Sequence, residues 1–145
     1  MSLKIIMISK KVYIAPDVIF TFIDRAHAQH EQAEAYFRYF AQEEYALFIG
    51  ITSIIEVYMQ IYKDISPSLA KDFMRTISLS NFNILYPEES DVKAALKALI
   101  NFQSTDLTYP KALIAVIAQR RGIQTICTLE YLHPLFGQQI FYLPI

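Results

Sequence analysis

The residues of this chain whose types could do chemistry stand directly after its apolar, strand-like runs. "VYIAPDVIF" passes from such a run through Ala15 and Pro16 to Asp17. Thr52 to Glu56 follow "YALFIG", Thr128 to Glu130 follow "IQTIC", and Thr108 to Lys111 open the helical pattern that feeds this last run. In open α/β sheets ligands bind beyond the carboxyl ends of the strands, where strand order reverses, so these stretches are where a site would form. They bring the carboxylates of Asp17, Glu56 and Glu130 and the ammonium of Lys111. Each also has a structural use. Asp17 reads as the N-cap of the helix that Pro16 introduces, and Glu56 as the far half of a capping box opened by Ser53. Lys111 falls in a first helical turn, where the dipole disfavours a cation, so it calls for a compensating partner, with Glu56 and Glu130 as candidates.

Other reactive groups read as structure. His27 and His30 have a spacing that could hold a transition metal, yet two ligands without a third belong on a solvated surface. His133, before Pro134, lies in a loop. Arg120 and Arg121 close a helix, where cations suit the dipole better than they suit an RNA contact. Tyr58 and Tyr62, at i and i+4, fit a core or a dimer interface rather than a platform for stacked bases. Cys127, the lone cysteine, lies in an apolar run and packs as a small core residue of a reducing compartment.

The elements that must position these residues are legible from periodicity. Strand-length runs rich in β-branched and aromatic residues occur at 11–15, 45–50, 82–86, 123–127 and 139–144. Helical patterns fill the gaps. Residues 17–24 predict a short buried helix, and "HEQAEAYFRYFAQ" sets Ala33, Phe37 and Phe40 beside a polar face of Gln32, Glu34 and Arg38. "TSIIEVYMQIYK" is a third helix, and a fourth starts at Ser66 with Pro67 in its first position. "PEESDVKAALKALINF" puts acids first and lysines later, and the last helix runs from Thr108 to a C-cap at Gly122. Strands separated by helices predict right-handed crossovers and a mainly parallel, five-stranded sheet covered on both faces.

The length of 145 residues predicts a single domain over 1–145. Thirteen basic against fourteen acidic residues leave a net charge of -1, so no global field recruits nucleic acid and any RNA contact is local. The hydrophobic share of 54%, with ten Tyr and ten Phe, exceeds the usual figure of about 45–50% and leaves apolar surface for a partner. "MSLKIIMISKKVYI" has too short an apolar run for a signal peptide, and no segment reaches the ~18 apolar residues of a membrane span, which places the expected protein in the cytoplasm.

Taken in order, "VYIAPDVIFTFID", "AHAQHEQA", "ITSIIEVYMQI", "LTYPKALIAVIAQRRG" and "ICTLEYLHPLFG" resemble the PIN-domain family, which includes the VapC-like toxin ribonucleases of toxin-antitoxin pairs. The resemblance runs from about Val12 to Leu143. It implies a three-layer α/β/α fold, a homodimer, a small antitoxin-like partner, RNA as substrate, and four converging acids that bind Mg²⁺ or Mn²⁺. A metal pair there would activate a water and stabilise the leaving oxygen of a phosphodiester. Carried over position by position, Ala15 stands at the first acid, Glu56 at the second, Lys111 at the third and Glu130 at the fourth.

Formal charge at these positions thus falls from four negatives to two negatives and one positive. An ammonium about 4 Å from a divalent ion is repelled by roughly 8 kcal/mol at an effective dielectric of about 20, an upper bound because the lysine stem can swing away. The expectation is a divergent member of the group, with metal-dependent RNA cleavage lost or weak and with RNA or protein binding retained. The competing expectation is an active endoribonuclease in which Asp17 and Asp106 join Glu56 and Glu130 around the metal. A third is a module that only binds an antitoxin or scaffold.

Overall fold

Residues 10–102, 106–130 and 139–141 are described by the structure, a computed structural model. Strand β1 (Lys11–Ile14) leads through α1 (Pro16–Ile23) and α2 (His30–Gln42) to β2 (Ala46–Gly50), then through α3 (Ile51–Asp64) and α4 (Pro67–Ser78) to β3 (Asn83–Leu85). Helices α5 (Glu89–Asn101) and α6 (Tyr109–Arg120) precede β4 (Thr125–Cys127), and β5 (Gln139–Phe141) completes the sheet. The strand order is β3-β2-β1-β4-β5, and every pairing is parallel. The chain moves outward from β1 to β3 and then returns to the other side of β1. Strand order therefore reverses between β1 and β4, and their carboxyl ends form the switch point. The Ala15 amide donates to the Cys127 carbonyl at 2.9 Å and ties the two exits together.

Alternation along β1 separates the layers. Val12 and Ile14 face one side, where Val18, Phe40, Ile54, Val57 and Phe73 of α1 to α4 complete a core that also takes in the thiol of Cys127. Tyr13 faces the other side, against Ile114 and Ala118 of α6. Helix α6 is buried along the whole of Ala112–Ala118, as an all-round apolar segment must be, because it lies between the sheet and α5. The result is the expected three-layer α/β/α arrangement.

Helix starts follow the expected chemistry in two cases. The Ser66 hydroxyl accepts from the Leu69 amide at 3.0 Å, and Thr108 Oγ1 accepts from the Lys111 amide at 3.4 Å. Gly122 takes φ +71° just past α6, the left-handed conformation that favours glycine at a helix end.

Two expected caps are corrected. Helix α3 begins at Ile51 with Gly50 as its N-cap, so Ser53 lies inside the first turn and opens no capping box with Glu56. Its hydroxyl instead meets the Tyr13 hydroxyl at 2.7 Å in the core, and that phenol oxygen also accepts from the Gly50 amide at 2.9 Å. A Cβ at Gly50 would stand 2.7 Å from the Tyr13 hydroxyl, so the close approach itself requires glycine. Asp17 is likewise not an N-cap, since Ala15 holds that position and Pro16 the next.

On α2, Tyr36 joins Ala33 and Phe40 as a fully buried residue, while Phe37 is half-buried against Phe22 and Phe82. His133 and residues 142–144 of the fifth expected run lie outside the described residues. No described helix is long and apolar enough to cross a membrane.

Candidate functional site

A cavity of about 230 Å³ opens at the carboxyl ends of β1 and β4, and its walls include Ala15, Asp17, Glu56, Lys111, Thr128 and Glu130. Each arrives by a different route. The turn at Ala15-Pro16 starts α1 immediately after β1 and sets Asp17 in its first turn. Glu56 projects from the second turn of α3. Thr108 caps α6 and fixes the first turn that carries Lys111. Thr128 and Glu130 follow β4 directly.

Asp17 bridges the switch point. Its Oδ2 accepts from Thr128 Oγ1 and from the Leu129 amide, both at 2.8 Å. Its Oδ1 is buried and has no hydrogen-bond partner among the described residues. Burial raises the Asp17 carboxyl above the ordinary carboxylate range, the bonds from Thr128 and Leu129 oppose this, and the nearby Glu130 charge adds to the rise. Burial also lifts Glu56, followed by repulsion from Asp17 and Glu130, while the Lys111 cation pulls it back. Lys111 turns into the cavity wall and places Nζ 3.3 Å from Glu130 Oε1. Of its two candidate partners, Glu130 thus holds the ion pair and Glu56 feels the lysine through its charge.

The donor chemistry can be compared with what a divalent cation asks for. Magnesium and manganese take clustered oxygen ligands, and Asp17, Glu56 and Glu130 are of the right type. An ammonium stands among them, already paired with Glu130, and the described residues contain no group of three or more His, Cys, Asp or Glu side chains placed to hold a metal ion. Asp106 is exposed just before α6 and is not part of the cavity wall.

The histidines are occupied locally. His27 Nδ1 accepts from the Gln29 amide at 3.0 Å, while His30 sits 3.0 Å from the Thr21 carbonyl and 3.2 Å from Glu34. The residue that sequence reading passed over is Asp91. It is only 1% exposed, caps α5 through the Glu88 amide at 2.7 Å, and takes both Arg120 (3.2 Å) and Arg121 (2.8 Å). Arg121 also donates to the Tyr86 carbonyl. The two arginines therefore do more than suit the end of α6, since they fasten it to the start of α5. The spacing of Glu88 and Asp91 in "PEESD" was the signal, a capping box with an acid in place of serine.

No protein-family model matches the chain, and no curated protein matches it in sequence. Solved structures do resemble it. VapC20 of Mycobacterium tuberculosis, a sarcin-ricin loop cleaving toxin, superposes with a TM-score of 0.71 at 12% identity over 79% of this chain and 86% of its own. VapBC2 of Rickettsia felis, bound to a DNA fragment from their promoter, gives 0.67 at 10% identity over 90% and 97%. FitAcB of Neisseria gonorrhoeae gives 0.65 at 13% over 90% and 96%. Identities this low speak to architecture, and what they establish is that the chain adopts the PIN-like, VapC-type α/β fold.

Proposed function

We propose that this chain is a divergent relative of the PIN-type toxin ribonucleases in which metal-dependent RNA cleavage is lost or strongly weakened, and which retains the binding of RNA or of a small antitoxin-like protein. The observation that carries this reading is the Lys111 ammonium, paired with Glu130 at 3.3 Å inside the cavity that also holds Asp17 and Glu56. An internal cation there offsets carboxylate charge that would otherwise attract a divalent one, and Ala15 supplies no ligand. The likeness in fold to VapC20, a sarcin-ricin loop cleaving toxin, supports the nuclease ancestry in this reading.

One observation favours a second reading, an active Mg²⁺- or Mn²⁺-dependent endoribonuclease that uses Asp17, Glu56, Asp106 and Glu130. The unpartnered Asp17 Oδ1 is an oxygen with a free lone pair at the cavity, where a cation would satisfy it.

Incubation of the purified chain with Mn²⁺ and structured RNAs, beside Glu56→Gln prepared identically, separates the two. The lapsed-nuclease reading expects equal background in both samples together with measurable RNA or partner binding. Cleavage that disappears in Glu56→Gln establishes the enzyme.

A further inference from the structure

A second cavity, of about 480 Å³, opens where α1 ends and α2 begins, and its walls are Phe22, Ile23, Arg25, His30 and Glu34. It lies at the other end of α1 from the switch point, a helix length of about 12 Å away. The two cavities differ in charge. Three carboxylates and one lysine line the first, whereas Arg25 in the second is exposed and forms no ion pair among the described residues. Phe22 stays 42% exposed even though its ring packs against Phe37 at 4.9 Å and stacks with the His30 ring at 6.1 Å and 28°. His30 is itself held from both sides. The Thr21 carbonyl can only accept, so His30 Nδ1 donates to it at 3.0 Å, and Nε2 lies 3.2 Å from Glu34 Oε1. That contact fixes Glu34 at the wall and leaves its second oxygen to accept from a ligand.

We infer that this corner is a nucleotide site, for a free nucleotide or for one unit of a single strand. The base stacks on the open side of Phe22 and extends the column that His30 begins, the phosphate meets the Arg25 guanidinium, and an exocyclic amine of the base donates to Glu34. The volume falls within the range of about 300–1,000 Å³ usual for small-molecule sites. A bare phosphate would leave the aromatic wall unused, and an acidic peptide would satisfy Arg25 but be repelled by Glu34. The inference is independent of whether the switch-point cavity cleaves RNA, and it gives a chain of net charge -1 a local place for such a contact.

Amide-resolved NMR titration of the full chain with adenosine 5′-monophosphate, inosine 5′-monophosphate and a short single-stranded oligoadenylate tests this. Saturable shifts at Phe22, Arg25 and His30 are expected. Phe22→Leu should raise the dissociation constant by about fivefold or more through lost stacking. Arg25→Gln should weaken binding of the oligoadenylate and lower its salt slope by about one. Arg25 is exposed, so this variant keeps the test decisive should Phe22→Leu fold poorly. The adenosine nucleotide should bind more tightly than the inosine one, which lacks the amine, and Glu34→Ala should erase that preference, an effect that a purely structural role for Glu34 does not produce. Tighter binding of the oligoadenylate supports a strand as the source, and tighter binding of the mononucleotide supports a free ligand. No shift at this corner with any of the three probes overturns the inference, as does an affinity unchanged in both Phe22→Leu and Arg25→Gln. An oligoadenylate that binds only elsewhere on the chain overturns it while leaving the reading of retained RNA binding intact.

Discussion

Two clusters of acids and bases in this molecule use the same side-chain types to opposite ends. At the junction of α5 and α6, one buried carboxylate meets two guanidiniums and a helix-start amide, and these contacts hold the Asp91 carboxyl down at about 2. At the switch point, Asp17, Glu56 and Glu130 share a single lysine, and burial raises Asp17 and Glu56 instead. The first cluster satisfies every charge it buries, so it belongs to the fold. The second leaves one buried oxygen unpartnered and two carboxyls disfavoured as anions. Incompletely compensated perturbation of this kind clusters at functional sites, which makes the switch point the candidate of the two.

The sharpest way to test this contrast is to reverse the charge of the cavity. Ala15→Asp with Lys111→Asp removes a repulsion of up to roughly 8 kcal/mol and adds two oxygen donors. Both changes suit their local structure, because Asp is favoured at the N-cap that Ala15 occupies and in the helical first turn that carries Lys111. Titration calorimetry should show Mn²⁺ binding in the double variant and none in the wild type. Silence in both would mean that these positions do not converge as ligands.

The next effect falls on the satisfied cluster. Asp91→Ala strands two arginines and removes a cap, which should lower unfolding free energy by about 3 kcal/mol, read from denaturant midpoints at constant slope. The pH dependence has a definite sign. The folded value of about 2 lies below the ordinary 3.8, so this contribution is present above pH ~4 and is lost as pH falls toward 2, amounting to about 2 kcal/mol. An Asp91→Ala protein with the same acid-denaturation profile as wild type would show that the clamp contributes nothing.

How much of this was legible in advance depends on which interactions are local. Strand runs, the Ser66 and Thr108 caps and the Gly122 turn rest on neighbours within a few residues; the caps and the turn stand where the letters placed them, and each described strand lies within its expected run. Lys111 was expected to pair with Glu56 or Glu130, because a cation in a first helical turn needs an acid, and the structure pairs it with Glu130. The failures involve partners distant in sequence. Ser53 had the spacing of a cap, but α3 starts at Ile51 and Tyr13, forty residues away, takes the Ser53 hydroxyl. Asp17 had the look of a cap too, yet the loop after β4, more than a hundred residues on, offers its carboxylate a hydroxyl and an amide. Asp91 remained hidden because its arginines come from the far end of the next helix.

Smaller substitutions sharpen the comparison within the cavity. Asp17→Asn keeps one acceptor for Thr128 and Leu129 and removes a charge that burial disfavours. It should stabilise the protein by about 1 kcal/mol at neutral pH, whereas Asp17→Ala should destabilise it by about 2 kcal/mol by stranding the Leu129 amide. Stabilisation by Asp17→Asn should shrink as pH falls, because the raised Asp17 carboxyl becomes neutral on its own. A gain that persists unchanged below pH 4 would assign it to packing rather than charge.

Lys111→Met is the smallest change in stability, since a partly exposed ion pair contributes up to about 1 kcal/mol, yet it bears most directly on what the lysine does. Of the charges acting on Glu56, Lys111 alone pulls its carboxyl down, and Asp17 and Glu130 push it up. With the ammonium gone, Glu56 should titrate at higher pH, while Asp91 on the opposite helix pair should not move. Carboxyl-carbon NMR titration resolves both groups in one experiment. Because a raised carboxyl favours the folded state only when protonated, the loss in Lys111→Met should be full at neutral pH and fade on acidification through the Glu56 titration. If Glu56 titrates as in wild type, the lysine head spends its time in solvent, and the cavity keeps its negative charge for another cation.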